Sequence, residues 1–516
     1  MDAATNIMTT PGGYSPAKTI SEMAHHLTEA VETSLPPSVL PASIPPPVRS
    51  TLPELPQDHK MMIPWLFEHI VPYLNRSSLS PRYYGFVTGG CTPAALSAEV
   101  LVSYFDQNVQ VHLPHETIAT SVEVAALNML IDLFRLPSEE WGVGGTNRGG
   151  GTFTTGATAS NVLGLAIGRE WVLSRAAERA TGKPMSIGEY GLMDVMIASG
   201  KSKIQVLSTM PHSSIGKAAS ITGIGRVNVI GIAKSGTTLE IDLERLEQEA
   251  GKREVATILA ISAGEVNTGR FATKTLDHMR KIREICDRHH VWVHVDGAFG
   301  LFGRVLKDCD GESDYAEIVK GCEGIELADS ITGDGHKLLN VPYDCGFFFT
   351  RHKGLAEEVF RNGNAAYLTS GAGAGDQISS PLNIGIENSR RFRALPVYVT
   401  LATYGRQGYV DMLCRQIGLA RRITGWLFDH PEFQVLPQAD DRQTMIEKTF
   451  MIVLFRAIDE KQNVGLVKRI NETGKMYVTG TQWDGRLAAR IAVSNWQADI
   501  ERDGKIIEEV LMEVIS

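Results

Sequence analysis

The sequence predicts an α/β fold, with a three-layer α/β/α large domain on a mostly parallel sheet, a small C-terminal α+β domain and an N-terminal arm. Between about residues 95 and 355, short apolar runs alternate with helical patterns, as in repeated strand–helix units. After about residue 405, a helix leads into mixed strands and helices, which indicates a separate lobe. We therefore expect an arm and dimerisation segment at 1–95, a large domain at 96–400 and a small domain at 401–516.

The elements follow from the same patterns. Prolines exclude long helices at 36–47, and residues 15–32 predict a short amphipathic helix. The large domain has predicted strands at 205–208, 227–232, 257–261, 292–295 and 345–350, and predicted helices at 117–133, 159–177, 243–250 and 273–289. The small domain has predicted helices at 409–429, 463–473 and from 500, with strands at 449–455, 475–479 and 487–493. Glycines at 371–375 predict a flexible loop between the lobes.

Composition narrows the class of protein. The net charge of −9 argues against nucleic acid or an anionic membrane as a partner. No run of 18 apolar residues, signal-peptide pattern or transit-peptide pattern occurs, so we expect a cytoplasmic protein. The six cysteines include no C-x-x-C pair, which predicts reduced thiols rather than disulfides or a zinc site. His289, His290 and His294 fit a helix end entering a strand, so we expect no metal site.

Lys337 is the first candidate catalytic residue. It lies between the segment 328–330 and the tight run 340–346. A lysine forms an imine with an aldehyde when its amine can lose a proton, and burial favours that loss. A lysine taken at random is far more often a solvated surface group, so its setting carries the interpretation.

Asp296 and His212 are the next candidates, since each follows a predicted strand, where α/β sheets bind ligands. A carboxylate at 296 could keep a pyridine nitrogen protonated, and the small Gly297 and Ala298 leave room for a flat ring. The structural alternative is a capping or turn aspartate. His212 precedes a plausible helix start, and could stack on the ring or transfer a proton, although a lone histidine there is usually structural.

Residues 149–161 (GGGTFTTGATASN) lead from a strand into a helix. Small residues expose backbone N–H groups, and a helix N-terminus favours a phosphate. The run fits neither the Walker A nor the G-x-G-x-x-G pattern and is weakly specific alone. Together with Lys337, Asp296 and His212 it predicts pyridoxal 5′-phosphate (PLP) as cofactor.

At this point the residues match a known family. From about residue 60 to 516 the chain resembles group II pyridoxal-phosphate-dependent decarboxylases, the fold-type I branch with aromatic amino acid, glutamate, histidine and diaminobutyrate decarboxylases. The segments that carry the resemblance are PRYYGFVTGGCTP (81–93), 149–161, SAGEVNTG (262–269), HVDGAFG (294–300), ADSITGDGHKLLNVPYDCG (328–346), RRFRAL (390–395) and TGTQWDGRLAARIAVSNW (479–496).

The resemblance implies a role for each matching position and a homodimer with its active site at the subunit interface. Lys337 would hold PLP, Asp296 would pair with the pyridine nitrogen and His212 would stack on the ring. The remaining implied residues are Ala298 beside the ring, Asn267 as a polar neighbour, Ala157, Thr158, Ala159 and His336 at the phosphate, and Tyr84, Phe86 and Thr88 at the substrate end.

The implied reaction is decarboxylation of an L-amino acid, aromatic or apolar, through an external aldimine and a quinonoid. One departure concerns a mobile loop in which many aromatic amino acid decarboxylases carry a proton-donating tyrosine. Here no tyrosine occurs between Tyr367 and Tyr398, and the corresponding position falls near 379–381. Two alternatives therefore stay open, namely decarboxylation-coupled oxidation to an aldehyde and carbon–carbon bond formation. A third is a non-enzymatic binding paralogue, against which the intact Lys337, Asp296 and His212 argue.

Overall fold

The larger lobe is built on a seven-stranded sheet. The computed structural model describes residues 16–30, 38–54, 59–145, 147–235, 239–309, 311–362 and 378–516. The sheet has the order β1-β7-β6-β5-β4-β2-β3. Its strands are β1 (Gly150–Thr154), β2 (Lys203–Ser208), β3 (Val229–Gly231), β4 (Val255–Ser262), β5 (Trp292–Asp296), β6 (Ser330–Asp334) and β7 (Gly346–Thr350). Neighbours from β3 to β6 pair in parallel, and β7 is antiparallel to both β6 and β1. The predicted α/β class is confirmed.

The helices of this lobe cover the sheet and begin at recognisable signals. Thr92 accepts a hydrogen bond from the Ala95 N–H and Pro93 follows it, which starts α3. The helices up to β7 and the one after it are α1 (Pro16–Ala30), α2 (His59–His69), α3 (Pro93–Phe105), α4 (Ala119–Leu133), α5 (Ser138–Trp141), α6 (Ala157–Thr181), α7 (Ile187–Ser199), α8 (Ser213–Ile221), α9 (Leu243–Ala250), α10 (Leu276–Arg288), α11 (Ala316–Gly321), α12 (Gly335–Leu338) and α13 (Lys353–Phe360).

The smaller lobe is a four-stranded antiparallel sheet with helices on it. The strand order is β10-β11-β9-β8, from β8 (Phe433–Leu436), β9 (Ile452–Ala457), β10 (Thr479–Trp483) and β11 (Arg486–Ala492). Its helices are α14 (Ala394–Asp429), α15 (Arg442–Glu447), α16 (Glu460–Asn463), α17 (Leu466–Glu472) and α18 (Ile500–Ile515). The α14 helix runs through both lobes and is kinked at Gly405.

Several sequence predictions need correction. The strand predicted at 475–479 is wrong, because β10 begins at Thr479. The helix predicted at 463–473 is split, since Gly465 adopts a left-handed φ of 78° between α16 and α17. The strand at 227–232 shortens to β3 after a 3₁₀ turn. The sequence did not predict α7, β6 or β8.

The predicted division into domains stays a prediction. The boundaries at 95/96 and 400/401 fall inside α3 and α14. The glycine-rich loop predicted at 371–375 lies outside the described residues. Within the described part of the chain, the helices are all too short or too polar to cross a bilayer.

Candidate active site

A cavity of about 360 Å³ opens at the carboxyl ends of β2, β4, β5 and β6. The fold brings the three main sequence candidates, Lys337, Asp296 and His212, to its lining. The other lining residues are Thr155, Gly156, Ala157, Thr158, Ala159, Ser214, Ser262, Gly264, Val266, Ala298, Phe299, Asp334, His336 and Tyr343. Parallel strands place these groups together because their carboxyl ends share one edge of the sheet.

Lys337 is on the short helix α12, directly after β6. Its Nζ lies 2.8 Å from the Oδ2 of Asp334, a carboxylate that is 4% exposed. The ammonium is also 5.7 Å from the centre of the Phe299 ring. Sequence reasoning missed Asp334, although an acid three residues before the lysine on a strand–helix junction was a visible signal. The Asp334 carboxylate thus holds the Lys337 side chain at the cavity.

Asp296 ends β5 and is 7% exposed. Its Oδ2 accepts a hydrogen bond from Asn161 Nδ2 at 2.9 Å, and its Oδ1 accepts one from the Ala298 N–H at 3.3 Å. No lysine or arginine among the described residues forms an ion pair with it. An ionised carboxylate can accept about four hydrogen bonds. Asp296 therefore keeps accepting capacity toward the cavity, which fits a protonated ring nitrogen.

His212 caps the N-terminus of α8. Its Nδ1 accepts a hydrogen bond from the Ser214 N–H at 3.2 Å and lies 2.7 Å from the Ser214 Oγ. Burial lowers the pKa of His212 below its usual value, and the charge of Lys337 acts in the same direction. The neutral ring is therefore favoured, and its proton is on Nε2 because Nδ1 accepts the Ser214 N–H.

The α6 N-terminus forms the end of the cavity that suits a phosphate. The first N–H groups of a helix lack partners in the helix and carry its positive dipole end. The Ala157 N–H already donates to the Asp334 Oδ1 at 2.6 Å, so the Thr158 and Ala159 N–H groups are the better donors. His336 lies beside them, because a Cβ added at Gly156 would be 3.2 Å from its ring.

The three residues predicted at the substrate end, Tyr84, Phe86 and Thr88, occupy different environments, and none of them lines the cavity. Tyr84 does not line the cavity, which corrects the prediction. Its backbone pairs with Tyr477 and Ala492, and its side chain is buried in the core of the small lobe. Phe86 is 63% exposed, with a left-handed φ of 60°, and is not among the residues that line this cavity. Thr88 is buried and hydrogen-bonds Tyr343, which does line it.

A close backbone approach keeps this segment against the catalytic lysine. A Cβ added at Gly89 would lie 1.8 Å from the Lys337 carbonyl oxygen, so only glycine fits there. The amide of Asn340 donates to the Gly89 carbonyl at 2.6 Å and to the Ser494 carbonyl at 2.9 Å. The segment, the lysine helix and the small lobe thus meet at one point.

Asn267 is turned away from the cavity, and Val266 takes the place expected for it. The Asn267 Oδ1 accepts a hydrogen bond from the Thr481 Oγ on β10 at 2.9 Å. The loop position near 379–381 is also elsewhere, since Ser379 hydrogen-bonds Glu357 at 2.5 Å. Both expectations counted residues along the chain, which does not report the direction of a side chain.

Two further residues were missed by sequence reasoning. Tyr343 lines the cavity and stacks on His336, with ring centres 4.3 Å apart. Although Tyr343 is 61% exposed as a whole, partial desolvation by neighbouring atoms raises the pKa of its phenol, which stays protonated at neutral pH. Arg490 on β11 is buried and donates to the carbonyls of Val266 and Phe86, each at 2.5 Å. Its second terminal nitrogen has no hydrogen-bond partner. Both lie in segments that carry the resemblance, 328–346 and 479–496, but no role was predicted for either from the sequence.

Comparison with known proteins settles the family. The model of the pyridoxal-dependent decarboxylase conserved domain matches residues 42–456. The chain belongs to this family of pyridoxal-dependent decarboxylases. It is a PLP-dependent enzyme of the carboxy-lyase class, and the predicted family and cofactor are confirmed.

Individual relatives are distant. The L-2,4-diaminobutyrate decarboxylase of Acinetobacter baumannii is 26% identical over 328 residues, 62% of this chain and 58% of the relative. Tryptophan decarboxylase 1 of Oryza sativa subsp. japonica is 24% identical over 478 residues, 89% of this chain and 85% of the relative. The crystal structure of Rhodiola rosea 4-hydroxyphenylacetaldehyde synthase superposes with a TM-score of 0.75 at 19% identity, covering 96% of each chain. That structural likeness establishes the fold.

Proposed function

We propose that this decarboxylase converts an apolar or aromatic L-amino acid to its amine and CO₂. The observation that carries the proposal is the single cavity shared by Lys337, Asp296 and His212 at the α6 N-terminus. Bound there, PLP supplies an electron-accepting ring that stabilises the carbanion left when CO₂ departs. Thr158 and Ala159 would bind its phosphate, Asp296 its ring nitrogen and His212 its face, with Lys337 at its aldehyde.

The lining supports an apolar substrate side chain. Val266, Phe299 and Tyr343 provide apolar surface. The two carboxylates that line the cavity, Asp296 and Asp334, are committed to the ring nitrogen and to Lys337, so neither is available for a second ammonium of a diamino acid. Arg490 does not itself line the cavity, but its guanidinium donates to the carbonyl of Val266, which does, and its unpartnered nitrogen is the cation we assign to the substrate carboxylate.

Tyr343 is the proposed acid of the reaction. The bond between the substrate carbon and its carboxylate breaks, CO₂ leaves, and the Tyr343 Oη gives its proton to that carbon. The phenolate then regains a proton from water. Support comes from the position of the phenol on the cavity lining and from the raised pKa, which keeps the proton in place until it is used.

Incubation with a panel of L-amino acids tests the proposal. Tryptophan, tyrosine, phenylalanine, glutamate and 2,4-diaminobutyrate are each supplied to the PLP-loaded enzyme, with D-enantiomers as controls. We expect amine and CO₂ in equal amounts from an aromatic or apolar substrate. Turnover of glutamate or diaminobutyrate alone would contradict the assigned substrate class, and absence of CO₂ from every substrate would contradict decarboxylation.

Oxidation to an aldehyde is the second candidate, because of the missing tyrosine between Tyr367 and Tyr398. In that reaction the amino acid, O₂ and water give aldehyde, CO₂, ammonia and H₂O₂. The same panel separates the two, since peroxide in equal amount to CO₂ and oxygen consumption would replace the amine.

We propose that the enzyme works as a homodimer, with a second copy covering helix α3. On the single chain this helix exposes a group of apolar side chains, namely Leu96, Val100, Leu101, Tyr104 and Phe105. Such contiguous apolar surface is typical of a subunit interface. Light scattering should give twice the chain mass, and Leu101→Glu should give a monomer, while Leu487→Glu on the small lobe should not. A monomeric wild type would contradict the proposal.

We also propose a cytoplasmic location. None of the cysteines in the described part of the chain forms a disulfide, as in a reducing compartment. Subcellular fractionation checks this, and recovery of the enzyme outside the cytoplasmic fraction would contradict it.

A further inference from the structure

A buried polar column lies behind Asp296, and its members are not part of the cavity lining. On β5 the side chains of Trp292, His294 and Asp296 point to the same face, since alternate residues of a strand do so. On helix α6 the residues Gly168, Gly164 and Asn161 lie opposite them. Trp292, His294 and Asn161 are each 0% exposed.

The two glycines allow α6 to pack directly on this strand. A Cβ at Gly164 would lie 2.4 Å from the His294 ring, and a Cβ at Gly168 would lie 2.6 Å from the Trp292 ring. Because the helix comes so close, the amide of Asn161 reaches both the end of β5 and the first turn of α8. Its Nδ2 donates to the Asp296 Oδ2 at 2.9 Å and to the Ser214 Oγ at 3.0 Å.

The hydrogen bonds of the column can run in one direction only. An ionised carboxylate accepts and never donates, so the Asn161 atom that faces Asp296 is the NH₂ group. The Asn161 Oδ1 therefore accepts from the His294 Nε2–H at 2.8 Å. The neutral ring accepts at Nδ1 from the Ser330 hydroxyl at 2.8 Å, and that oxygen accepts from the Trp292 Nε1–H at 3.2 Å.

His294 stays neutral in this column. Complete burial lowers its pKa from the usual 6.5 to about 4. A positively charged His294 would compete with the cofactor's ring nitrogen for interaction with the Asp296 carboxylate. A neutral His294 does not. The same network continues from Asn161 through the Ser214 hydroxyl to the His212 Nδ1, 2.7 Å away. One amide thus links the carboxylate and the stacking histidine.

We propose that Asn161 and His294 are positioning residues that keep the Asp296 carboxylate aimed at the PLP nitrogen, and that keep the His212 proton on Nε2. The proposal deepens the proposed function and rests on its pairing of Asp296 with the ring nitrogen. Asn161 holds Asp296 and Ser214 by its two N–H bonds. His294 prevents the amide from rotating, because a flipped amide would set two donors against each other.

The test reads the protonation state of the cofactor directly. PLP labelled with ¹⁵N in its ring is bound to wild type, Asn161→Ala, His294→Leu and His294→Gln, and the ring nitrogen is followed by NMR from pH 6 to 9. In wild type it should stay protonated throughout. In Asn161→Ala and His294→Leu it should lose its proton within this range, and the Kd for PLP should rise about tenfold or more. His294→Gln restores an N–H donor to Asn161 and should recover most of the wild-type signal.

Asn463→Ala is the matched control. Asn463 is also buried and makes two hydrogen bonds, from the Ala457 N–H and to the Leu487 carbonyl, in the small lobe. It should lower the melting temperature without changing the ¹⁵N signal. If Asn161→Ala and both His294 variants lower stability but keep the wild-type signal and Kd, the proposal is wrong. Should Asn161→Ala fail to fold, the two His294 variants decide alone, by the difference between them.

The variant Asp296→Asn distinguishes the role of Asn161 and His294 from the pairing of Asp296 with the ring nitrogen, on which that role rests. If the ring nitrogen is unchanged in Asp296→Asn, the pairing in the proposed function is wrong. If it changes there but not in the Asn161 and His294 variants, only the role of the column is wrong.

Discussion

The two sides of the cavity are built differently. We call Thr158, His212, Asp296 and Lys337 the cofactor wall, and Val266, Phe299 and Tyr343 the substrate wall. Asp296 is 7% exposed and held by named hydrogen bonds, whereas Tyr343 is 61% exposed on the single chain. The four residues of the cofactor wall all come from one chain.

This difference shows how one fold can serve many substrates. The residues of the cofactor wall lie at strand ends and at the α6 N-terminus, where any displacement would break buried hydrogen bonds. The three residues of the substrate wall, by contrast, lie in turns or bends outside the helices and strands. Substitutions in the first wall should therefore remove activity, and substitutions in the second should redirect it.

Lys337→Ala should have the largest effect, because it removes the only amine on the cofactor wall. We expect amine formation to fall by about 10⁴-fold and the visible absorbance of bound PLP to change. Lys468→Ala, a surface lysine with a 78% exposed side chain, is the control. Full activity in Lys337→Ala would remove the basis for the cofactor wall.

Tyr343→Phe should come next and should change the product rather than PLP binding. Loss of the acid should lower amine formation by about 10²-fold, with more aldehyde and peroxide. Tyr477→Phe, which stacks on Tyr83 and does not line the cavity, should behave as wild type. An unchanged ratio of amine to aldehyde in Tyr343→Phe would assign the proton to another group.

Arg490→Lys should raise KM by about 10- to 100-fold with a smaller change in kcat, because the fork-shaped donor for the substrate carboxylate is lost. Steady-state kinetics with the best substrate of the panel measures it. Arg486→Lys, on the same strand and paired with Glu460 at the surface, is the control. A loss confined to kcat would place Arg490 among purely structural residues.

The smallest effect concerns pH. Because the pKa of His212 is below its usual value, wild-type kcat/KM should be constant above pH 6.5 and should fall only when His212 gains a proton at lower pH. In wild type the Ser214 hydroxyl donates to His212 Nδ1 and so favours the neutral ring. Ser214→Ala removes this donor and should raise the pKa of His212. The acidic limb of this variant should move to higher pH by up to about one unit. A limb that stays in place would show that another group causes it.

The sequence predicted the residues of the cofactor wall better than those of the substrate wall, and the reason is physical. Lys337, Asp296 and His212 follow strands whose apolar runs are visible in the sequence, and parallel strands bring their ends together. Tyr84 does not reach the cavity because its backbone pairs with Tyr477 and Ala492 of the small lobe, which directs its side chain into the core of that lobe. No local sequence pattern reveals this pairing.

Long-range partners account for most of what the sequence could not predict. Arg490 acts through contacts with the carbonyls of Val266 and Phe86, which lie more than 200 residues away in the sequence, and no spacing along the chain encodes such contacts. The strand β6 was missed because its Ser330–Asp334 sequence is polar and glycine-containing, yet its side chains serve the buried column and the lysine. The polar residues that made β6 hard to predict are the same residues that form the hydrogen bonds of this column and the contact with Lys337.

Helix α14, 36 residues long, has a consequence for how substrate enters. Its Arg406 donates to the Leu133 carbonyl in the large lobe, and its Arg422 pairs with Glu508 in the small lobe. The part of α14 after the kink at Gly405 is thus tied to both lobes, which restrains them from opening widely. Traffic through the cavity must then depend on small rearrangements at its mouth. Solution scattering should give the same radius of gyration for the empty and the loaded enzyme.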